Sequence, residues 1–152
     1  MWGKLKYFIA IGFILIIGIL MMNRVSNKNS QPYVRIGSVE IPVELAIDSA
    51  SQQKGLSGRP SLDSQSGMLF IFNKPGIYTF WMPDMNFTID IIWINDNKVV
   101  DINANVSNNF DPENPSFYEP VAPAQYVLEV NAGFAKTENI KIGDTVSLIN
   151  IK

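Results

Sequence analysis

Asp90 lies in the run Phe80 to Ile94, FWMPDMNFTIDIIWI, between Ile89 and Ile91 and after Trp81, Met82, Met85 and Phe87. A carboxylate in so apolar a segment must be paired, metal-bound or protonated. It reads as a ligand acceptor, an oxygen donor to a metal or a general base. The structural alternative is an acceptor paired with Arg59 or with turn amides. Glu129, in YVLEVNAG, poses the same choice. Two carboxylates on separate strands also suggest the acid and base of sugar hydrolysis. Asn131 shares a strand face with Glu129 by the two-residue repeat. Carboxylate and amide beside aromatic rings suit a small polar or carbohydrate-like ligand. Arg59 sits among Gly and Pro, and its fork would grip a carboxylate or phosphate, or pair internally with Asp90 or Glu129. Trp81 and Met82 read as core or as a stacking platform. The candidate ligand-binding set is therefore Arg59, Trp81, Met82, Asp90, Glu129 and Asn131, bordering one concavity with the loop 105–125.

Composition removes many other chemistries. The 152 residues include no Cys and no His, which excludes disulfides, thiol nucleophiles, Cys/His zinc sites and His-based triads. Any metal would be a hard cation on oxygen ligands, and no cofactor is implied. Asp84, after Pro83, reads as a turn former. Asp111, Glu113 and Glu119 lack the spacing of a calcium loop and read as solvated. All 14 acidic residues lie after residue 30, against eight basic ones there, a net of −6 for residues 31–152. So acidic a segment is a poor partner for phosphate backbones, and nucleic-acid binding is set aside.

Tyr7 to Met22 is an uninterrupted apolar run, about 24 Å long as a helix. Together with residues 5–6 it approaches a membrane span, with Lys4 and Lys6 placed to snorkel. No small-x-small pair follows it, so an uncleaved signal anchor over residues 1–22 is favoured over a cleaved signal and secretion. Basic residues at the N-terminus favour an extracytoplasmic C-terminal part. Residues 23–32 read as a linker, and 33–152 as one folded domain.

The elements that must position the candidate residues are mostly strands. Residues 34–46 alternate in two runs about a Gly37-Ser38 turn, with Pro42 suggesting an edge or bulge. Asp48 or Ser49 caps a short helix over 49–56, ended by Gly55 or Gly58. Residues 67–72 form a strand, NKPG at 73–76 a turn, and 77–82 and 89–94 two further strands. A turn at 95–97 leads into a strand over 99–104. Residues 105–125 carry four prolines and no hydrophobic period, as expected of a functional or mobile loop. Strands over 126–131 and 145–149 follow, with a helical turn or two over 132–138 between them. Seven to nine short antiparallel strands with two short helices predict a mostly β fold, a β-sandwich or a partly open barrel.

Several blocks then occur in a familiar order: Lys54 to Arg59 (KGLSGR), Gly67 to Phe72 (GMLFIF), Phe80 to Met82 (FWM), Ile89 to Ile91 (IDI), Leu128 to Gly133 (LEVNAG) and Ile142 to Asp144 (IGD). Over about residues 36–150 the chain resembles the bacterial and archaeal family called domain of unknown function 192. The resemblance implies a small β-sandwich domain, often behind a signal peptide or anchor, and supplies no activity. The chain departs from the family at Asp84-Met85, where Asn-Thr is usual. It departs again at Thr88-Ile89, where Pro-Leu precedes the Asp, and at Ser57, where Met is usual.

These readings predict a membrane-anchored extracytoplasmic domain that binds a small polar or carbohydrate-like ligand. The alternatives are a hydrolase using Asp90 and Glu129, with or without a divalent cation, and a structural or assembly factor of the envelope.

Overall fold

The computed structural model of the protein describes residues 31–151. The expected anchor over residues 1–22 and most of the expected linker lie outside them. Among the described residues, no helix is long and apolar enough to cross a membrane.

The alternating runs form strands where expected. β1 (Tyr33–Ile36) and β2 (Val39–Ala46) flank a turn in which Gly37 takes φ 59°. Pro42 does not lie in an edge strand. It sits where β2 exchanges neighbours: residues 39–42 pair with β1, and residues 43–46 pair with β3 (Gly67–Gly76). The missing N–H therefore costs no ladder bond. The β2–β3 pair is parallel, against the all-antiparallel expectation. Parallel neighbours need a long crossover, and residues 47–66 supply it. Within that crossover lies α1 (Ser49–Lys54), capped by the Asp48 side chain accepting from the Ser51 N–H at 2.9 Å.

β4 (Ile89–Asn95) and β5 (Lys98–Val106) form a hairpin whose turn residues, Asp96 and Asn97, both take positive φ. That is the type I′ geometry matching strand twist. β6 (Ala124–Asn131), the single turn α2 (Phe134–Thr137) and β7 (Val146–Ile149) complete the chain. The seven strands make one sheet in the order β5-β4-β6-β3-β2-β1-β7. Its two outer strands approach each other at one end. Val99 donates to the Asp144 carbonyl at 3.0 Å, Gly143 to Val99 at 2.8 Å and Val146 to Asn97 at 2.8 Å. The fold is thus a single curled half-barrel, and the sandwich of two sheets is not formed.

All seven strands contribute to the core on the inner face, including Ile41, Leu69, Ile92, Leu128 and Val146, with Phe134 and Ala135 of α2. A second core lies on the outer face, where Phe70, Ile91, Trp93 and Val127 are covered by Leu56, Met82 and Met85. Two strand assignments change here. Residues 73–76 continue β3, with an irregularity in its pairing to β6 between Ile71 and Gly76. Residues 77–82 form no strand, because they leave the sheet to cover the outer core. Only Phe80 makes a bridge, to Tyr118 of the long loop, with both N–H···O bonds at 2.8 Å.

Asp90 joins three parts of this frame. Where β4 runs from Ile89 to Ile91, β5 inserts two residues, Ala104 and Asn105, between the partners Val106 and Asn103. The bulge leaves the Asn105 N–H without a ladder acceptor, and Asp90 Oδ1 takes it at 2.8 Å. The same oxygen accepts from the Gly133 N–H at 3.1 Å, and Oδ2 from the Ala135 N–H at 3.0 Å. Asp90 is fully buried, and turn amides, not Arg59, are its partners. Replacing one oxygen by NH2 sets a donor against an amide. Asp90→Asn should therefore destabilise the full chain by ~3–5 kcal/mol. Calorimetry should show the midpoint falling by about 10 °C or more; a shift within about 2 °C would rule out this clamping role.

Candidate functional site

Pairing across β4 and β6 sets Asp90 opposite Val130 and Ile91 opposite Glu129. Successive residues alternate faces, so the two carboxylates point to opposite sides of the sheet. Asp90 faces the inner core. Glu129 faces outward, in a row with Ile91 of β4 and Met68 of β3.

Above Glu129 the outer covering is incomplete. The end of α1 with residues 55–57 approaches from one side, and residues 78–85 from the other. They enclose a cavity of about 220 Å³ with Glu129 in its lining. Ser57 Oγ donates to the Pro83 carbonyl at 2.8 Å, and the Gly58 N–H to the Asp84 carbonyl at 2.8 Å, which fastens the two sides together. Gly55, at φ 47°, allows close approach to Phe70, whose ring would lie 3.3 Å from an added Cβ. The walls are aromatic. Phe72 and Tyr78 stack with centroids 3.6 Å apart, and Phe80 meets Phe70 edge-on at 5.0 Å and the buried Trp93 at 5.3 Å. Trp81, 54% exposed, stands at the mouth. Its ring contacts Phe110 at 5.7 Å and Phe117 at 6.4 Å, both on the long loop.

Glu129 is only 5% exposed. Burial pushes its carboxyl up to about 8, Arg59 opposes this only by a through-space attraction, and no hydrogen bond to the carboxylate relieves it. A buried acid without a hydrogen-bond partner in a cleft is a functional-site candidate. The Arg59 guanidinium is engaged elsewhere, donating to both oxygens of Glu44 at 2.6 and 2.8 Å. Those bonds hold the Glu44 carboxyl below its ordinary range.

The six residues expected around one concavity are therefore divided. Trp81, Met82 and Glu129 line the cavity. Asp90 is behind the sheet. Arg59 is on the surface with Glu44. Asn131 does share Glu129's face, but its amide donates to the carbonyls of Leu62 (3.3 Å) and Asp63 (3.0 Å), anchoring the crossover. The loop 107–123 meets the cavity walls from outside, through the Trp81 contacts, the Phe80–Tyr118 bridge and a 2.6 Å bond from Thr79 Oγ1 to Glu119, and lines none of the cavity itself. Gln52, Ser57, Phe70, Phe72, Tyr78, Thr79 and Phe80 are cavity residues that the sequence did not single out. Only a convergence of KGLSGR and FWM would have pointed to them.

The raised Glu129 carboxyl has a definite effect on stability. Between the ordinary carboxylate range and about 8, the folded state holds a proton that the unfolded state has released. Stability therefore falls as pH rises through that window, by a few kcal/mol in all. The shifts of Glu44 and Asp48 are downward and act only at lower pH. The full chain should thus show a midpoint that declines from about pH 5 to pH 8.5, and Glu129→Gln should flatten the profile and raise the midpoint at the alkaline end. A parallel decline in both proteins would show that Glu129 is not the titrating group.

Comparison with known proteins agrees with this fold. A crystal structure of a protein of unknown function from Novosphingobium aromaticivorans is similar, with 36% identity, a TM-score of 0.68, and coverage of 76% of this chain and 83% of the other. A protein from Sinorhizobium meliloti, described as a candidate transcription regulator, matches at 27% identity and a TM-score of 0.71, covering 81% of this chain and 97% of the other. No curated protein matches. The profile of the family described as uncharacterized ACR, domain of unknown function 192, matches residues 33–148. The chain belongs to that family.

Proposed function

We propose that this domain is a binding module whose site is the aromatic cavity over Glu129. The observation that carries the reading is the buried carboxyl without a hydrogen-bond partner at the base of a walled, open-mouthed cavity. A purely structural position there would favour an apolar side chain completing the outer core. An engineered cavity of ~150 Å³ holds a benzene, so about 220 Å³ suits one compact ligand body. Its apolar surface would meet the rings, and a polar group would meet Glu129. Sugar hydrolysis by a carboxylate pair gains no support, since both groups must flank one bond and here the sheet separates them. Residues 31–152 carry a net of −6, a poor charge for the phosphate backbone that a transcription regulator, as the Sinorhizobium protein is described, would meet.

In the same reading, residues 5–22 anchor the domain to the membrane, with the binding module on the extracytoplasmic side. The apolar run and the flanking Lys4 and Lys6 support it. The anchored chain should stay with the membrane fraction after alkaline carbonate extraction and be digested by protease added outside the cell. Release by carbonate would remove the anchor.

A small-molecule screen followed by nuclear magnetic resonance tests the cavity. Binders should shift the Trp81 indole, and Trp81→Ala should weaken them about tenfold, ~1.4 kcal/mol. The half-exposed ring should contribute little to the thermal midpoint. Binders that all map away from residues 52–57 and 78–85 would overturn the site.

A further inference from the structure

We infer that the cavity over Glu129 selects an organic cation: a compact quaternary or primary ammonium group held against the aromatic walls with the Glu129 carboxylate as its counter-charge. The inference rests on the binding reading above and specifies its ligand class.

Three observations converge on it. First, most of the hydroxyl and amide protons of the lining side chains are already engaged. Gln52 Nε2 donates to the Ile71 carbonyl at 2.8 Å and Ser57 Oγ to Pro83 at 2.8 Å. Tyr78 Oη donates to Lys74 at 2.7 Å, and Thr79 Oγ1 to Glu119 at 2.6 Å. With those protons engaged, the lone pairs of the same groups remain for a ligand. The side-chain donors left over are the Trp81 indole N–H and the Gln53 amide, and no cationic side chain in the lining joins them to hold an anion.

Second, the walls are aromatic, with Phe72 and Tyr78 each covering one face of the other. Phe72, Tyr78, Phe80 and Trp81 surround the space, and a ring face attracts a cation within ~6 Å of its centroid, most strongly where water is excluded. Third, Glu129 is the one acidic side chain in the lining, and no Lys or Arg joins it there. Of the groups packed around Glu129, β3 and β4 present Met68 and Ile91, and α1 presents Gln52 and Gln53, with Lys54 exposed. The segment 78–85 presents the Tyr78 phenol, with Asp84 exposed, and the crossover brings Arg59, which is paired to Glu44. Asp90 is on the other face. A ligand cation would thus be the direct partner that Glu129 lacks.

The proton balance follows. At neutral pH the empty site holds Glu129 as the acid. Entry of a permanent cation stabilises the carboxylate, whose proton leaves to solvent. Binding therefore strengthens as pH rises, by up to about tenfold per unit below the point where the empty site ionises. An uncharged ligand accepted by the neutral acid would show no such gain.

Titration calorimetry and Trp81 indole shifts on the full chain test this with three probes: choline, its uncharged shape match 3,3-dimethyl-1-butanol, and glucose. Choline is expected to bind at the cavity at least about tenfold more tightly than the alcohol. Its affinity should rise about tenfold from pH 6.5 to 7.5, with one proton released. Glu129→Gln should weaken it about tenfold or more while Asp84→Asn leaves it unchanged. If the alcohol or glucose shifts Trp81 as well as choline does, or Glu129→Gln keeps full choline affinity, the cation inference falls and the binding reading stands. If none of the three moves Trp81 in the folded chain, both fall.

Discussion

The clamp made by Asp90 is the interaction on which the rest of the structure depends. Its carboxylate gathers amides from a β5 bulge, from the turn after β6 and from the first turn of α2. None of the three has an alternative partner in the ladder. A buried carboxylate costs several kcal/mol in desolvation, which amide bonds to a charged acceptor can offset at ~1.5–3 kcal/mol each. The consequences extend further than the bonds themselves. Gly133, at φ 80°, turns the chain so that Phe134 and Ala135 enter the inner core. The bulge at Asn105, φ 54°, ends the β4–β5 ladder and directs the chain into the long loop. At that end of the sheet, β5, the turn after β6 and α2 are tied together by a side chain.

Glu129 has a similar local sequence and the opposite fate. Both carboxylates are flanked by apolar β-formers in central strands, and both are almost completely buried. A one-residue offset in the β4–β6 register puts one against three amides and the other under an aromatic vault. The first is fixed by its hydrogen bonds, whereas the second is left to its burial. Environment, not residue type, separates a structural acid from a candidate binding group.

That distinction marks how far the sequence was legible. The two-residue alternation located β1, β2, β4, β6 and β7 closely, and Asp48 and Gly55 bounded α1 as their chemistry requires. Local signals misled at 73–82. Asn73 to Gly76 is a good turn sequence, yet the strand runs through it and resumes pairing with β6 at Gly76, opposite Ala124. Residues 77–82 have strand composition, yet they were needed more as a cover for Trp93 and Phe70. Strand partners are chosen across the whole chain, so neither the parallel β2–β3 pair nor the single sheet could be read from periodicity. The same limit applied to the site. Buried carboxylates in apolar runs were visible; which of them faced Arg59, amides or a cavity was a matter of register. Arg59 went to Glu44 because β2 places that residue on its outward side, where the crossover returns.

The cavity itself follows from the way the outer core is covered. Segments 52–57 and 78–85 reach over the sheet from opposite sides and are fastened through Ser57 and Gly58. Between them they leave a gap over Glu129 of β6 and Phe70 and Phe72 of β3. Filling it with a leucine or methionine would complete an apolar row with Ile91 and Met68 and remove the alkaline loss of stability. The two direct neighbours of Glu129 in that row, Ile91 and Met68, already take this solution. The covering segments also engage the Gln52, Ser57, Tyr78 and Thr79 protons elsewhere, so what lines the space is mainly aromatic rings, lone pairs and one acid. Retaining a buried ionisable group where a hydrocarbon would be more stable is the pattern expected when stability is traded for binding.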